Sequence, residues 1–123
     1  MLAELRPEAV VRDGDRVELR IRIEPSLDVF PDHFPEYPML PGVVQLGWAV
    51  RAAQRECGMP GELARLSGLK FMQPLRPGDR LTLRLEKLGA QDVAFSYVAG
   101  ATVHSSGRLR FNAAAASPSL RPT

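Results

Sequence analysis

A chain of 123 residues has the length of one domain, able to enclose a core but only a modest one. With 45% hydrophobic and 24% charged residues it reads as soluble and globular, with no apolar run near the ~18 residues of a membrane span and no signal-peptide pattern. Sixteen basic against fourteen acidic side chains leave +2, too little to argue for nucleic acid. The single cysteine, Cys57, excludes an internal disulfide and any cysteine-based metal cluster. The expected compartment is the cytoplasm, with no metal site and no resident cofactor.

In chain order, residues 9–11 suggest a short edge strand, and Asp13-Gly14-Asp15 is a turn signal. Residues 17–24 alternate strictly, with Val17, Leu19, Ile21 and Ile23 against Glu18, Arg20, Arg22 and Glu24. That period of two predicts a half-buried strand. After Pro25 comes a stretch dense in proline: His33-Phe34-Pro35-Glu36-Tyr37-Pro38-Met39-Leu40-Pro41-Gly42. Proline locks φ and disfavours helix in the residue before it, so this segment is stiff and extended. Helix can begin only at Gly42 or Val43, with Pro41 near its first turn. Apolar residues then lie on all sides of residues 43–53, which predicts a helix over 43–56 that is buried nearly all round. Gly58, Pro60 and Gly61 stop it.

The second half reads as strands. Residues 66–73 form one, and Pro74 to Asp79 make a turn. Leu81, Leu83 and Leu85 alternate with Thr82, Arg84 and Glu86. Residues 93–103 predict a long strand, and Ser105-Ser106-Gly107 predicts a hairpin into residues 108–113. A single domain over 1–113 is expected, with a frayed tail over 114–123. One long helix wrapped by an antiparallel sheet of five or more strands satisfies this pattern, an α+β architecture.

A titratable imidazole, His33, is thus carried by a rigid loop toward a helix end with unpaired N–H groups and a partial positive charge. His33-Phe34-Pro35, Pro38 and Leu40-Pro41-Gly42-Val43 resemble the signature of the hot-dog-fold 3-hydroxyacyl-carrier-protein dehydratases. Val43-Val44-Gln45-Leu46-Gly47-Trp48-Ala49 looks closest to the aryl-polyene branch of that family. Leu69-Lys70-Phe71, Pro74, Pro77-Gly78-Asp79 and Leu81 are similar to its strand-turn-strand segment. The likeness covers roughly residues 19–111. It implies a hot-dog fold, a homodimer or higher oligomer, and sites built across two subunits.

The resemblance further implies removal of water from a (3R)-3-hydroxyacyl thioester carried on phosphopantetheine, as an acyl-carrier-protein or CoA thioester. His33 matches the base that takes the C2 proton, and imidazoles titrate near neutrality. The backbone N–H of Gly42 matches the donor that polarises the thioester carbonyl. Phe34, Pro41, Val43, Gly47 and Arg51 match positions that contact substrate. Lys70, Arg76, Arg80, Arg84 and Lys87 could meet an acidic carrier protein.

Two positions depart from the family. The helix carboxylate expected fourteen residues after the histidine is Gly47, which carries no proton, and Asp32 replaces a glycine. Three functions therefore stay open. The chain is a dehydratase working with His33 and an unusual or water-mediated acid, or a catalytically weak thioester binder or silent half of a heterodimer whose partner supplies the carboxylate, or a hot-dog thioesterase. His104 is expected to be exposed and inert. Trp48, Phe71, Phe95 and Tyr97 are read as core, interface or tunnel aromatics, and Cys57 as a small apolar filler at the helix end.

Overall fold

The computed structural model describes residues 4–27, 30–31 and 36–113. The expectations for Asp32, His33, Phe34 and for the tail at 114–123 lie outside the described residues. The elements are β1 (Ala9–Asp13), β2 (Arg16–Arg22), α1 (Gly42–Glu56), β3 (Leu63–Phe71), β4 (Arg80–Lys87), β5 (Asp92–Ala99) and β6 (Thr102–Phe111). The strands make one antiparallel sheet in the order β1-β2-β4-β5-β6-β3. One helix packed on a six-stranded antiparallel sheet is the α+β architecture expected.

Alternation builds the core. Val17, Leu19 and Ile21 of β2, Leu81, Leu83 and Leu85 of β4, and Val93, Phe95 and Tyr97 of β5 all turn to one face and are buried. Leu109 and Phe111 of β6 extend that face. Against it lie Val44, Trp48, Ala49, Ala52 and Ala53 of α1. The three alanines are fully buried, and their small side chains let the helix lie close to the sheet. Removing such area from water contributes about 25 cal/mol per Å².

The helix starts one residue earlier than the pattern suggested and ends where glycine was expected to end it. Gly58 has φ +63, a conformation natural to glycine, and the Met59 N–H returns to the Ala53 carbonyl at 3.4 Å. Arg12 of β1 donates to the Glu56 backbone carbonyl at 2.8 Å and pairs with the Glu56 carboxylate, placing a cation at the negative end of α1.

Two expectations are corrected. The hairpin expected at Ser105-Ser106-Gly107 is formed instead by Gly100-Ala101, where Gly100 has φ +59. Gly107 sits inside β6 because a Cβ there would meet the Phe95 ring at 2.7 Å; its glycine makes room rather than a turn. Nor is α1 buried all round within one chain. Val43 is 64% exposed, Arg51 is exposed and Leu46, Gly47 and Val50 are half-buried. A single sheet covers only one side of a helix, so this apolar stripe faces outward.

Candidate active site

Antiparallel register sets Leu19 opposite Leu83, Leu83 opposite Tyr97, Tyr97 opposite Ser105 and Ser105 opposite Phe71. Directly opposed residues share a face of the sheet. One row thus runs beneath the start of α1, from buried aliphatics through two hydroxyls to a half-exposed ring.

The helix start is shaped by its proline and glycine. Pro41 precedes it at φ −59 and ψ 146, no described side chain caps it, and its first turn holds no acidic residue. The N–H groups of Gly42 and Val43 stand too early in the helix for intrahelical acceptors, so the positive end of the dipole is uncompensated by this chain's described side chains. Phe71 lies directly over Gly42, where a Cβ would meet its ring at 2.6 Å. Beside them opens a cavity of about 330 Å³, lined among others by Met39, Pro41, Gly42, Gln45, Phe71 and Met72. Such a place suits a carbonyl oxygen gaining negative charge beneath an apolar cover.

The expected site residues fall into two groups. Pro41 and Gly42 line this cavity. Val43, Gly47 and Arg51, spaced by four, share the helix face turned away from the sheet, and none of them lines it. His33 and Phe34 are outside the described residues.

Sequence reasoning passed over a buried polar knot at this turn. Gln45 is 4% exposed. Its Nε2 donates to the Leu40 carbonyl at 3.1 Å, and its Oε1 accepts from the Ser105 hydroxyl at 2.7 Å. Its backbone carbonyl accepts from the Tyr97 hydroxyl at 2.6 Å. Complete burial pushes the Tyr97 phenol well above its ordinary range. The signal available was Gln45 itself, an amide in an otherwise apolar helix start. Ser105 was hidden by its reading as a turn residue.

Other candidates resolve into structural roles. His104 is half-buried rather than exposed. Its Nδ1 lies 3.2 Å from the Pro74 carbonyl, and its own carbonyl accepts from the N–H groups of Met72 and Gln73, bracing the exit of β3. Arg80 pairs with Glu8 at 2.6 Å and Arg84 with Glu18 at 3.0 Å. Arg76 stacks 4.4 Å from the Tyr37 ring centroid and donates to its hydroxyl. Cys57 is buried in the core, and desolvation raises its thiol pKa. Among the described residues no group of three or more His, Cys, Asp or Glu could hold a metal ion, and no helix is long and apolar enough to cross a membrane.

Known proteins share both chain and fold. The family model described as ApeI-like, ApeI dehydratase, matches residues 9–108. A 3-hydroxyacyl-(acyl-carrier-protein) dehydratase FabZ of Ruminiclostridium cellulolyticum is 33% identical over 109 residues, 80% of this chain and 77% of the relative. FabZ of Brucella ovis is 39% identical over 67 residues, 48% of this chain, and the match spans only 43% of that relative's length. In three dimensions the fold is similar to a chain of the dehydratase heterocomplex ApeI:P from Xenorhabdus doucetiae. That match has a TM-score of 0.76 and 26% identity over 88% of this chain and 97% of that one. The matched residues run from β1 into β6 and take in the Pro41-Gly42 helix start, and on that ground the chain belongs to the ApeI-like dehydratase family.

Proposed function

We propose that this protein binds (3R)-3-hydroxyacyl thioesters carried on pantetheine and works on them as a dehydratase whose proton-donating group is not its own helix residue 47. The observation that carries the reading is the helix start at Gly42, which no described side chain caps, opening on an apolar cavity under Phe71. The thioester carbonyl accepts from the Gly42 N–H, which stabilises the charge that grows as C2 loses its proton. His33 takes that proton, the C2–C3 double bond forms, and the C3–O bond breaks. The hydroxyl must gain a proton to leave as water; Gly47 has none to give, so the proton taken by His33 returns to it through a water. No resident cofactor is needed, since the substrate brings its own pantetheine. In this reading residues 1–113 act as the single domain that carries this chemistry.

A second reading is favoured by a specific observation. The similar solved chain belongs to a dehydratase heterocomplex, and Gly47 and Arg51 sit on an outward helix face. In that reading a related subunit covers this face and supplies the carboxylate, and the present chain contributes His33 and Gly42. Mass spectrometry of 3-hydroxyacyl and enoyl carrier-protein thioesters, incubated with the purified protein alone and with a co-purified partner, tests both. Conversion only in the mixture supports the hetero-oligomer. Release of free acid instead of enoyl product overturns both in favour of a thioesterase.

A further inference from the structure

Several bonds that brace the turn into Gly42 meet at one residue, Gln45. The Leu40 carbonyl can only accept, so the amide nitrogen of Gln45 must face it and the amide oxygen must face Ser105. Ser105 is therefore the donor of that pair. The Gln45 N–H also binds the Pro41 carbonyl at 3.1 Å, while the Leu40 N–H is taken by the Leu75 carbonyl at 2.7 Å. Tyr97, next to Ser105 in the same row of the sheet, holds the Gln45 carbonyl. Gln45 thus closes the Leu40-Pro41-Gly42 turn on itself through Leu40 and Pro41, while Ser105 of β6, Tyr97 of β5 and Leu75 after β3 anchor that turn to the sheet.

Resting on the proposed reading of Gly42, we propose that Gln45 is a positioning residue. Through Leu40 below and Ser105 and Tyr97 behind, it sets where the Gly42 N–H points, and thus how strongly the thioester carbonyl is polarised. An apolar side chain of similar size would fill the same volume and keep the helix. It would leave the Leu40 carbonyl and the Ser105 hydroxyl without their partner, and the turn would relax toward other acceptors and donors. Gln45 thereby acts on the bound carbonyl without touching the leaving group.

The test reads the carbonyl rather than turnover, so it is independent of the missing acid. Butyryl- and octanoyl-pantetheine, ¹³C-labelled at the thioester carbonyl, cannot lose water. Each is bound to the full-length wild type, Gln45→Leu and Ser105→Ala, and the carbonyl stretch is recorded by infrared difference spectroscopy. Calorimetry reports affinity and circular dichroism reports folding. The expected result is a shift to lower frequency on wild-type binding. Most of that shift should be lost in Gln45→Leu and part of it in Ser105→Ala, with affinity within about tenfold of wild type, or 1.4 kcal/mol. If Gln45→Leu binds and keeps the full wild-type shift, the positioning role is wrong while the Gly42 reading stands. If the wild type shows no binding or no shift, the Gly42 reading itself fails and takes this inference with it. Should Gln45→Leu not fold, Ser105→Ala decides by the same criterion.

Discussion

At the scale of single residues the decisive position is Gly47. Glycine inside a helix costs roughly 1 kcal/mol relative to alanine, and under the proposed function it also leaves this chain without a helix group to protonate the leaving hydroxyl. Losing a general acid costs roughly 10²–10⁴-fold, about 3–5 kcal/mol of transition-state stabilisation. Dehydration by the isolated homo-oligomer should therefore be slow or absent. Gly47→Asp should raise it at least about tenfold, and His33→Ala in that background should abolish the gain, both read as turnover of 3-hydroxyacyl thioester. If the aspartate variant folds, binds substrate and gains nothing, His33 is not where the proposal requires it. Tyr97 makes a second residue-scale prediction. Its buried phenol stays protonated in the fold at a pH where an unfolded tyrosine, near 10, has ionised. The unfolded state then binds fewer protons, so stability falls as pH rises above about 10, at up to ~1.4 kcal/mol per pH unit. Tyr97→Phe should start less stable, through its lost bond to Gln45, yet show a shallower alkaline decline in urea titrations at pH 9 through 11. Equal slopes would show that Tyr97 is not the group responsible.

At the scale of elements, the proline-rich segment before α1 is tied down by contacts beyond its own stiffness. Arg76, in the turn between β3 and β4, stacks on Tyr37 and donates to its hydroxyl, and its own N–H is bound by Asp79 at 2.8 Å. Both side chains are exposed, so the contact is worth about 0.5–1 kcal/mol. Arg76→Ala should leave the thermal midpoint almost unchanged but speed amide exchange at Tyr37 and Met39 about two- to five-fold. Unchanged exchange there would mean that the prolines and the Leu40–Leu75 bond hold the segment unaided. The same logic of local against tertiary control applies to β3. Its bulges, between Leu63 and Arg65 and between Ser67 and Lys70, leave Phe71 opposite Ser105 and over Gly42.

At the scale of the molecule, the sheet has two edges unpaired among the described residues, β1 and β3. The β3 edge is nine residues long, and near its end Phe71 is 52% and Met72 49% exposed. With Val43 at 64% on the helix, this is an apolar surface of the kind that isolated chains cover by association. We expect at least a dimer. Light scattering at micromolar concentration should give a mass of twice 13.5 kDa or more, and Met72→Asp should shift it toward the monomer. A stable wild-type monomer would contradict the expectation and, with it, sites completed across subunits.

By itself, the sequence determined what short-range sterics and patterning can encode. Alternation in β2 and β4 settled which side chains face inward, since a strand's side chains repeat every two residues. Pro41 and Gly58 settled where α1 begins and ends, since both act through their own backbone angles. The His33-to-Gly42 motif pointed to the family before any contact was known. Tertiary structure alone decided what depends on pairing across long sequence distances. Gly100 and Gly107 look alike in the chain, yet one turns a hairpin and the other yields space to Phe95. That choice belongs to the register of β5 on β6, which is settled by the summed packing of the sheet and not by either glycine. The same register sets Tyr97 beside Ser105 under Gln45, and that of β3 on β6 sets Phe71 against Gly42. The bare outer stripe of α1 follows from a single sheet having only one face to give, which no count of apolar residues along a helix can foresee.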